Sequence, residues 1–399
     1  MIQGFYYRFY NLTRSRKLSI LLSYMARFVF FLRYQIKKAF TESQIVLMDE
    51  DSALSIIEKA SPDPKGRPDY CMEAVQPNFD LSIIVPVYNH VDVIQKCIES
   101  ILDQNTQYSY ELILVDDGST DGAQDLVEKY QEYSNVRVFH RENGGIAAAR
   151  NTGISHARGK YIMFVDCDDT ARPNIVEELM ETAYRKNCDI VMGAHNLVKI
   201  NNHKIISILP NIESEWNLLG YKNNDEIMNY AGLPWAKVYR RELFEQIRFF
   251  PGYWYEDTII HGLLFLCCKS FSYVSNIVYD YTWNESNFSH IQDNKKHGKA
   301  KSADRYWLLN AITQHYEEME LPLDARFYTM ILKHVSAYYY GTISSMPEEF
   351  IEAMFIAARA LLLKYQPEKK VKLPYMLRET EKYMIRGDIA HWKLCSMNQ

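Results

Sequence analysis

Residues 166–169 of the sequence place three carboxylates within four positions, with the letters DCDD. At this spacing Asp166, Asp168 and Asp169 repel one another unless a cation neutralises them. Ligands that are all oxygen select a hard divalent ion, Mg²⁺ or Mn²⁺, which completes its coordination shell with phosphate oxygens and water. A D-x-D pattern alone is weak in a chain with 50 acidic residues. It is more informative here because it closes an apolar segment, residues 161–165, that is typical of a buried strand.

A second acidic pair, Asp116 and Asp117, follows another apolar segment, residues 111–115. Carboxylates after an apolar strand are costly unless hydrogen-bond donors meet them, and a nucleobase imino N–H is one such donor. The alternative is that both acids start a turn and cap the next helix, together with Ser119 and Thr120. The residues alone leave both interpretations open.

The first apolar strand of the same region, residues 81–85, is followed by Pro86 and Tyr88, which offer a rigid apolar wall to a flat base. No glycine lies between residues 81 and 117, so the glycine-rich turn that binds a dinucleotide pyrophosphate is missing. A nicotinamide or flavin site is therefore excluded. A nucleotidyltransferase is disfavoured for the same reason, because it needs a glycine-rich triphosphate loop at this position.

Arg150 lies between the two acidic segments, on a predicted helix of small residues that follows the letters ENGG at 142–145. Its guanidinium can place a bidentate cation on a phosphate or a carboxylate. The alternative is plain helix packing with Arg150 paired to an acid of residues 166–169, and the two interpretations are not exclusive.

The elements that must position these residues follow from the hydrophobic periodicity. Strand and helix patterns alternate from residue 81 to about 194, which predicts right-handed βαβ units and a mostly parallel, doubly wound α/β sheet. Ligands of such sheets bind beyond the carboxyl ends of the strands, where the acidic segments lie. Residues 42–80 are polar and proline-containing and are interpreted as a connector. The chain after about 300 is predicted to be mostly helical, with one apolar stripe over 351–365 that ends before Pro367. The predicted strands are 81–85, 111–115, 136–139, 161–165 and 189–192.

Composition restricts the class of protein. The 399 residues are 47% hydrophobic and 24% charged, which excludes a disordered or collagen-like chain and predicts two or three domains. The seven cysteines are scattered without a C-x-x-C pair, so neither a structural zinc site nor a disulfide framework is indicated. A reducing cytoplasm is the expected setting. Beyond residue 41 the chain has 37 basic and 50 acidic residues, which disfavours nucleic acid as a partner.

The N-terminal 41 residues differ from the rest, because they contain eight Lys or Arg and no acid. Within them, residues 18–32 show apolar side chains at helical spacing, but this stretch is shorter than a bilayer span and Arg27 interrupts it. One interpretation is a helix that lies on an anionic membrane, on the inner face of the cell membrane. The other is a helix packed against the protein's own body or against a second copy of the chain.

Four ordered motifs resemble the nucleotide-sugar domain of family 2 glycosyltransferases, which have the GT-A fold and act on bacterial polysaccharides and cell-surface glycans. The motifs are 81–89, 114–119, 143–151 and 164–169. The resemblance implies roles for the residues already described and for one more, Asn143. By that resemblance, Pro86, Tyr88 and Asp117 hold uracil with Asn143 nearby, Asp166 reaches the ribose, Arg150 contacts the acidic cluster, and Asp168 binds the metal on the diphosphate. A carboxylate that faces an imino N–H would also suit guanine.

Two later segments extend the resemblance. Residues 234–241 (PWAKVYRR) are similar to the family's W-x-K-L-Y segment, and residues 255–257 (YED) to its E-D motif, in which the Asp is the usual catalytic base. This implies Asp257 as the base and Glu256 as an orienting or acceptor-binding neighbour, with a helix start as the alternative for both. Lys237 either neutralises the diphosphate or is a solvated cation. Val238 replaces the common Leu, and an 80-residue N-terminal extension precedes the first motif.

His261 and His290 are candidates for an imidazole near the metal, with a structural role as the alternative for each. The expected reaction is an inverting, metal-dependent transfer from a nucleotide sugar, by resemblance a UDP-sugar, to a hydroxyl of a glycan or lipid-linked acceptor. Its product would be β-linked. A non-catalytic nucleotide-sugar-binding scaffold is the alternative function. The predicted division of the chain is an extension over 1–80, a GT-A domain over 81–295 with halves 81–195 and 196–295, and a helical region over 296–399.

Overall fold

The computed structural model describes residues 9, 13, 15–70, 72, 77–199, 204–209, 218–219, 232–283 and 294–397. These residues fall into two compact units. The helical unit comprises residues 1–65, 253–255 and 292–399, and the sheet unit comprises residues 66–252 and 256–291. The helices before residue 65 and those after 292 therefore belong to the same compact unit. The predicted three-segment division of the chain, with boundaries after residues 80 and 295, stays a prediction.

The first two helices of the helical unit are α1 (Arg16–Phe40) and α2 (Glu50–Ala60). The predicted apolar helix over 18–32 is therefore too short by ten residues, because the charged residues beyond it continue the helix. Helix α2 lies inside the polar segment interpreted as a connector. It begins where the Asp49 side chain accepts a hydrogen bond from the Ser52 backbone N–H at 2.9 Å, and it buries Ala53 and Ile57. Only two of its positions are buried, which gives a weak pattern for predicting the helix.

The described part of the sheet unit contains ten strands in one sheet, in the order β3-β2-β1-β4-β9-β6-β10-β5, with β7 beside β6 and β8 beside β10. They are β1 (Phe79–Val87), β2 (Tyr110–Asp116), β3 (Val136–His140), β4 (Gly159–Phe164), β5 (Thr170–Ala171), β6 (Ile190–Lys199), β7 (Lys204–Leu209), β8 (Leu218–Leu219), β9 (Lys237–Arg240) and β10 (Ser270–Trp283).

Strands β3, β2, β1 and β4 pair in parallel, as the alternating pattern predicts. Strand β9 is antiparallel to both β4 and β6, and β10 runs parallel to β6. The sheet is therefore mixed, with a parallel half that starts at the first motif. The predicted strand 189–192 extends to Lys199 because β10 pairs with it over its whole length and β7 pairs with its residues 195–199 on the other side.

Helices cover this sheet: α3 (Ile94–Leu102), α4 (Ala123–Glu128), α5 (Ile146–His156) and α6 (Ile175–Lys186), followed after β9 by a π-helical turn (Ile260–Leu264) and the short α7 (Phe265–Cys267). The apolar side of α3, including Cys97, Ile98 and Ile101, packs with buried side chains of β1 and β2 in one core cluster. This burial is the main favourable term that fixes the strand ends relative to one another.

The remaining helices complete the helical unit: α8 (Asn294–Glu318), α9 (Ala325–Lys333) with a π-helical turn (His334–Tyr338), α10 (Tyr339–Ile343), α11 (Glu348–Lys364), α12 (Tyr375–Arg386) and α13 (Ile389–Ser396). The apolar stripe predicted over 351–365 is the buried side of α11, which ends before Pro367 as expected. Among the described residues, no helix is long and apolar enough to span a membrane.

Candidate active site

The carboxyl ends of β1, β2 and β4 meet at one edge of the sheet. In the parallel register Val87 pairs with Asp116, and Ile84 pairs with Phe164. The three segments that follow these strands therefore begin side by side, which brings Tyr88, Asp117 and residues 166–169 to the same edge. The sequence predicted from the strand ends that these residues lie close together, and the structure places them at one edge.

Asp117 is buried, and its carboxylate organises the loop that precedes α5. Its Oδ1 accepts from the Gly144 N–H at 3.1 Å, its Oδ2 accepts from the Gly145 N–H at 2.7 Å, and the Arg141 guanidinium forms a salt bridge with it. Each carboxylate oxygen has two acceptor positions, so these contacts do not use the full capacity of the group. The predicted contact of Asp117 with a base stays a prediction.

Asp116 makes contacts that fit the structural interpretation of the acidic pair, in which the acids stabilise a turn. Its Oδ1 accepts from the Ser119 N–H at 3.0 Å, and its Oδ2 lies 3.0 Å from Nδ1 of His140. The hydrogen bonds to Asp116 and to Glu128 raise the pKa of His140. Asp116 therefore stabilises the turn, whereas the first turn of α4 is supported by Asp121, whose side chain accepts from the Ala123 N–H at 2.9 Å.

Tyr88 follows the end of β1 with 47% of its surface exposed, so one face of its ring is available to a flat ligand. The next residue, Asn89, has a positive φ of 53°, and its side-chain oxygen accepts from the Thr120 N–H at 2.8 Å. This contact fixes the loop after β1 to the loop after β2. Pro86 is the last but one residue of β1 and pairs with Val115.

Gly118 allows the Asp117 turn to approach the 141–145 loop. Its φ of +76° is favourable only for glycine, and an added Cβ would lie 3.0 Å from the Asn143 backbone nitrogen. The Asn143 side chain is exposed beside this turn. The predicted base-binding residues Tyr88, Asp117 and Asn143 therefore belong to loops that are fixed to each other.

Arg150 joins the two acidic motifs of the sheet unit. From helix α5 its Nη2 donates to Asp166 at 2.8 Å and its Nη1 donates to Glu256 at 2.8 Å, while the guanidinium lies 5.2 Å from the Phe249 ring centroid. Burial alone would lower the pKa of Arg150, but the two carboxylates outweigh it and raise that pKa above its ordinary value. The side chain is only 1% exposed, so the structure pairs it with carboxylates.

The three acids of residues 166–169 have different environments. Asp166 is paired with Arg150, and Asp169 is buried where it accepts from the Tyr279 hydroxyl and the Thr282 N–H, each at 2.7 Å. Burial and the charge of Asp166 raise the pKa of Asp168, and no described side chain donates a hydrogen bond to it. Burial and the charges of Asp168 and Asp166 also raise the pKa of Asp169, so a cation would relieve repulsion at both Asp168 and Asp169.

A divalent ion fits this environment only in part. Among the described residues, no group of three or more His, Cys, Asp or Glu side chains is arranged as a metal site. An ion at Asp168 would therefore take most of its ligands from phosphate oxygens and water, as Mg²⁺ commonly does. Asp168 lines a cavity of about 340 Å³ that also contains Lys96, Arg172, Asn196 and Asp280. Most of its lining residues are polar or charged, and it is large enough for a hydroxyl-rich ligand.

Lys237, the first residue of β9, is buried, and its ammonium donates to the Leu233 carbonyl at 2.6 Å and the Trp235 carbonyl at 3.4 Å. Burial lowers the pKa of Lys237 to about 7, and the charge of Asp257 acts in the opposite direction. The alternative of a solvated cation is wrong, because only 1% of the residue is exposed. Its assignment to the diphosphate stays a prediction.

The loop that Lys237 stabilises positions aromatic rings against β10. Trp235 stacks on Tyr279 with centroids 4.8 Å apart and on Tyr281 at 5.2 Å. His195, also buried, contacts Trp235 edge to face at 4.7 Å, and burial lowers the pKa of this imidazole to about 3. These aromatic rings form an apolar surface next to the acidic edge of the sheet.

Glu256 and Asp257 precede the helical segment that leads into α7. The Ile260 N–H donates to the Asp257 carbonyl at 3.0 Å, so the predicted helix start is present in the backbone. The Glu256 side chain is held by Arg150, and the Asp257 side chain is half-buried near enough to Lys237 for their charges to interact. His261 lies on the same helical segment and contacts Phe265 at 5.3 Å. His290 lies outside the described residues.

Comparison with known proteins identifies the family of this chain. The family model described as Glycosyl transferase family 2 matches residues 82–248. The glycosyltransferase GlyG of Streptococcus pneumoniae is 33% identical over 224 residues, which cover 50% of this chain and 70% of GlyG. The chain belongs to glycosyltransferase family 2.

Other relatives match this family 2 glycosyltransferase over a smaller share of their own length. GlyA of S. pneumoniae is 29% identical over 226 residues, which cover 54% of this chain but 32% of GlyA. EpsJ of Bacillus subtilis is 37% identical over 172 residues, which cover 42% of this chain and 49% of EpsJ. The chain therefore spans about a third and about half of these two relatives.

The fold is shared with a solved structure. The crystal structure of S. aureus TarS residues 1–349 in complex with UDP-GlcNAc matches with a TM-score of 0.61 and 21% identity, over 80% of this chain and 90% of that one. The predicted fold class is confirmed: the family 2 glycosyltransferase has a GT-A fold, with helices at both ends of the chain. Glu256 and Asp257 lie beyond the residues that the family model matches.

Two residues of this edge were missed at the sequence level. Arg141, which pairs with Asp117, directly follows β3, and inspection of that strand end as closely as the others could have found it. Tyr279, whose hydroxyl also accepts from the Asp166 N–H at 3.1 Å, comes from β10, more than a hundred residues later. No local pattern marks it.

Proposed function

We propose that this chain is an inverting, metal-dependent glycosyltransferase that moves a sugar from a UDP-sugar to a hydroxyl of a glycan or lipid-linked acceptor. The product linkage in this proposal is β. The observation that carries it is the bridge made by Arg150, which joins Asp166 of the donor edge to Glu256, the neighbour of Asp257. A single buried cation thus ties the proposed donor site to the proposed base.

The donor site in this proposal begins at the base. Pro86 and the half-exposed Tyr88 form a wall for uracil, Asp117 accepts from its imino N–H, and Asn143 lies beside it. Asp166, oriented by Arg150, accepts from a ribose hydroxyl. Support comes from TarS, whose crystal structure with the same fold contains UDP-GlcNAc. Guanine would meet the same carboxylate, so the choice of uracil rests on this likeness.

Asp168 is the residue that would hold Mn²⁺ or Mg²⁺ on the diphosphate. When bound, the ion supplies a Lewis acid that stabilises negative charge on the leaving phosphate. The chain supports this role because Asp168 has no described hydrogen-bond donor, whereas Asp166 pairs with Arg150 and Asp169 accepts from Tyr279. The adjacent polar cavity, lined by Asn196 and Arg172, would accept the hydroxyl groups of a sugar.

Asp257 is the proposed general base. An acceptor hydroxyl that attacks the anomeric carbon must lose its proton, and one carboxylate opposite the leaving group is sufficient for a single displacement. A single displacement inverts the anomeric centre, so an α-linked donor gives a β-linked product. The charges of Lys237 and Asp257 interact, which places a basic residue near the proposed base.

The direct experiment measures UDP release from a panel of UDP-sugars with Mn²⁺, with and without acceptor. Asp257→Asn is expected to lower turnover about a thousandfold while UDP affinity stays within a factor of two to three. Glu245→Gln, which removes an exposed acid from the loop after β9, is the matched control and should retain full turnover. If the wild-type chain binds UDP but releases none with any donor and acceptor, the non-catalytic scaffold is the better description.

A further inference from the structure

Helix α1 shows an unusual distribution of side chains in the helical unit. Its large apolar residues face outward: Leu21 is 56% exposed and Phe28 is 62% exposed, and Met25, Leu32 and Ile36 continue the same helical stripe. These positions follow the i, i+4, i+7, i+11, i+15 spacing of one helix face. No described residue covers this face. The stripe that usually drives a helix into a core is here turned away from it.

The opposite side of α1 is held by polar and aromatic contacts within the helical unit. The buried Tyr34 hydroxyl donates to Glu379 of α12 at 3.3 Å, and Lys38 forms a salt bridge with the same carboxylate. At the edge of the apolar face, Gln35 donates to the Tyr375 hydroxyl at 2.8 Å. These directional contacts fix the rotation of the helix about its axis, so the apolar face stays outward.

Basic residues lie beside the apolar face and at the C-terminal end of α1. Lys17, Arg33 and Lys37 are exposed, and no described acid pairs with them. The first 41 residues contain no Asp or Glu at all. The face therefore combines apolar side chains that can enter an acyl layer with cations that suit phosphate head groups, which is the pattern of an interfacial helix.

We infer that the outward face of α1 is a docking surface for an anionic lipid bilayer, on which the helix lies parallel to the membrane plane. A second copy of the chain fits this face less well. Two α1 helices packed through it would bring Lys17, Arg33 and Lys37 of one copy near the bases of the other, with no acid in this segment to compensate. Anionic head groups remove this repulsion. The inference does not depend on the proposed reaction.

The test is co-sedimentation of the full chain with vesicles of phosphatidylcholine alone and of phosphatidylcholine with phosphatidylglycerol. Binding is expected only to the anionic vesicles, and added salt should weaken it. The double variant Leu21→Ser/Phe28→Ser should lose at least about tenfold in lipid affinity. The matched control Leu323→Ser/Tyr133→Ser removes two similarly exposed apolar side chains elsewhere and should bind as the wild type does.

A set of variants that remove positive charges tests the electrostatic contribution to lipid binding separately. Lys17→Gln/Arg33→Gln/Lys37→Gln should lower affinity about fivefold for each charge removed, whereas Lys129→Gln/Lys269→Gln/Lys299→Gln removes three exposed bases elsewhere and should have little effect. UDP release should be unchanged in every variant, which also shows that each is folded. Equal binding to neutral and anionic vesicles would overturn the inference. A lipid-independent dimer that Leu21→Ser/Phe28→Ser dissociates, without vesicle binding, would assign the face to a second copy.

Discussion

Arg150 is the residue on which the geometry of the proposed site depends most. Its guanidinium is almost fully buried and donates to Asp166 and Glu256 at once. One planar cation that pairs with two carboxylates holds them at a fixed separation, and this requires the fork geometry of arginine. Loss of that cation leaves two poorly compensated acids at the centre of the site.

Arg150→Lys is therefore expected to lower the free energy of unfolding by about 3 kcal/mol and UDP release by about a hundredfold, because one ammonium cannot reproduce both paired bonds. Chemical denaturation and the UDP-release assay measure the two effects. Arg185→Lys alters a surface pair, Arg185 with Glu181 at 4.0 Å, and should change stability by less than about 0.5 kcal/mol. Equal stability and turnover in Arg150→Lys and wild type would contradict the role given to the bridge.

His195 predicts a pH dependence of stability whose sign is fixed by burial. Burial lowers the pKa of this imidazole to about 3 in the folded state, against an ordinary value of 6.5. The unfolded chain therefore binds a proton below pH 6.5 that the folded chain does not, and stability falls as the pH decreases from 6.5 towards 3. At pH 4.5 this costs about 2 to 3 kcal/mol. The difference in free energy of unfolding between pH 7 and pH 4.5 should be smaller in His195→Phe by about that amount.

His140 provides a control, because its contribution to stability has a pH dependence opposite in sign to that of His195. Its hydrogen bonds to Asp116 and Glu128 raise its pKa, so its contribution to stability is complete below pH 6.5 and is lost as the pH rises through the folded value. His140→Gln should therefore be more destabilising at pH 5.5 than at pH 8.5. A pH profile in which both variants change in the same direction would contradict these assignments.

At the residue scale, the sequence could place the acids, and it offered Arg150 as the partner of an acid of residues 166–169, which is Asp166 in the structure. The acids after β2 and β4 were predictable because the carboxyl ends of parallel strands share an edge. Which acid lacks a described hydrogen-bond donor was not, since Asp169 accepts from Tyr279 of β10, more than a hundred residues later in the chain. Such pairings depend on contacts between distant elements, which no local pattern contains.

At the scale of elements, the site depends on loops that are fixed to one another at the sheet edge. The turn after β2 contacts the loop before α5 at Gly118, and the loop after β1 is held to it through Asn89 and Thr120. The parallel strands were predictable from continuous apolar runs bounded by polar residues. The antiparallel insertion of β9 between β4 and β6 was not, because a strand of four residues, Lys237–Arg240, carries little periodicity.

Gly118→Ala tests this loop contact. The added Cβ would meet the Asn143 nitrogen at 3.0 Å and the Arg141 carbonyl at 3.3 Å, in a backbone conformation with φ of +76°. A loss of about 1 to 3 kcal/mol in stability and about tenfold in UDP affinity is expected, by thermal unfolding and calorimetry. Gly341→Ala, within helix α10 and with open space around its Cβ, should be neutral or stabilising by up to about 1 kcal/mol. If Gly118→Ala and Gly341→Ala have the same effect on stability and UDP affinity, the loop contact at Gly118 is not needed.

At the scale of the whole molecule, the family match and the compact units divide the chain differently. The match to family 2 covers residues 82–248, all within the sheet unit, whereas Asp257 lies beyond the match and the helical unit is built from both ends of the chain. The sequence could identify the sheet unit because its motifs are local. It could not show that the segment before residue 65 and the segment after 292 pack together, since α2 and α11 are distant in sequence.

The central claim is that the sheet edge holds a nucleotide diphosphate through a cation on Asp168. Titration calorimetry of UDP with and without Mn²⁺ tests it most directly, in the wild type, in Asp168→Asn and in Asp125→Asn, which removes an exposed acid from α4. Mn²⁺ should strengthen UDP binding at least about tenfold in the wild type and in Asp125→Asn, and should have little effect in Asp168→Asn. An equal gain from Mn²⁺ in all three proteins would contradict the claim.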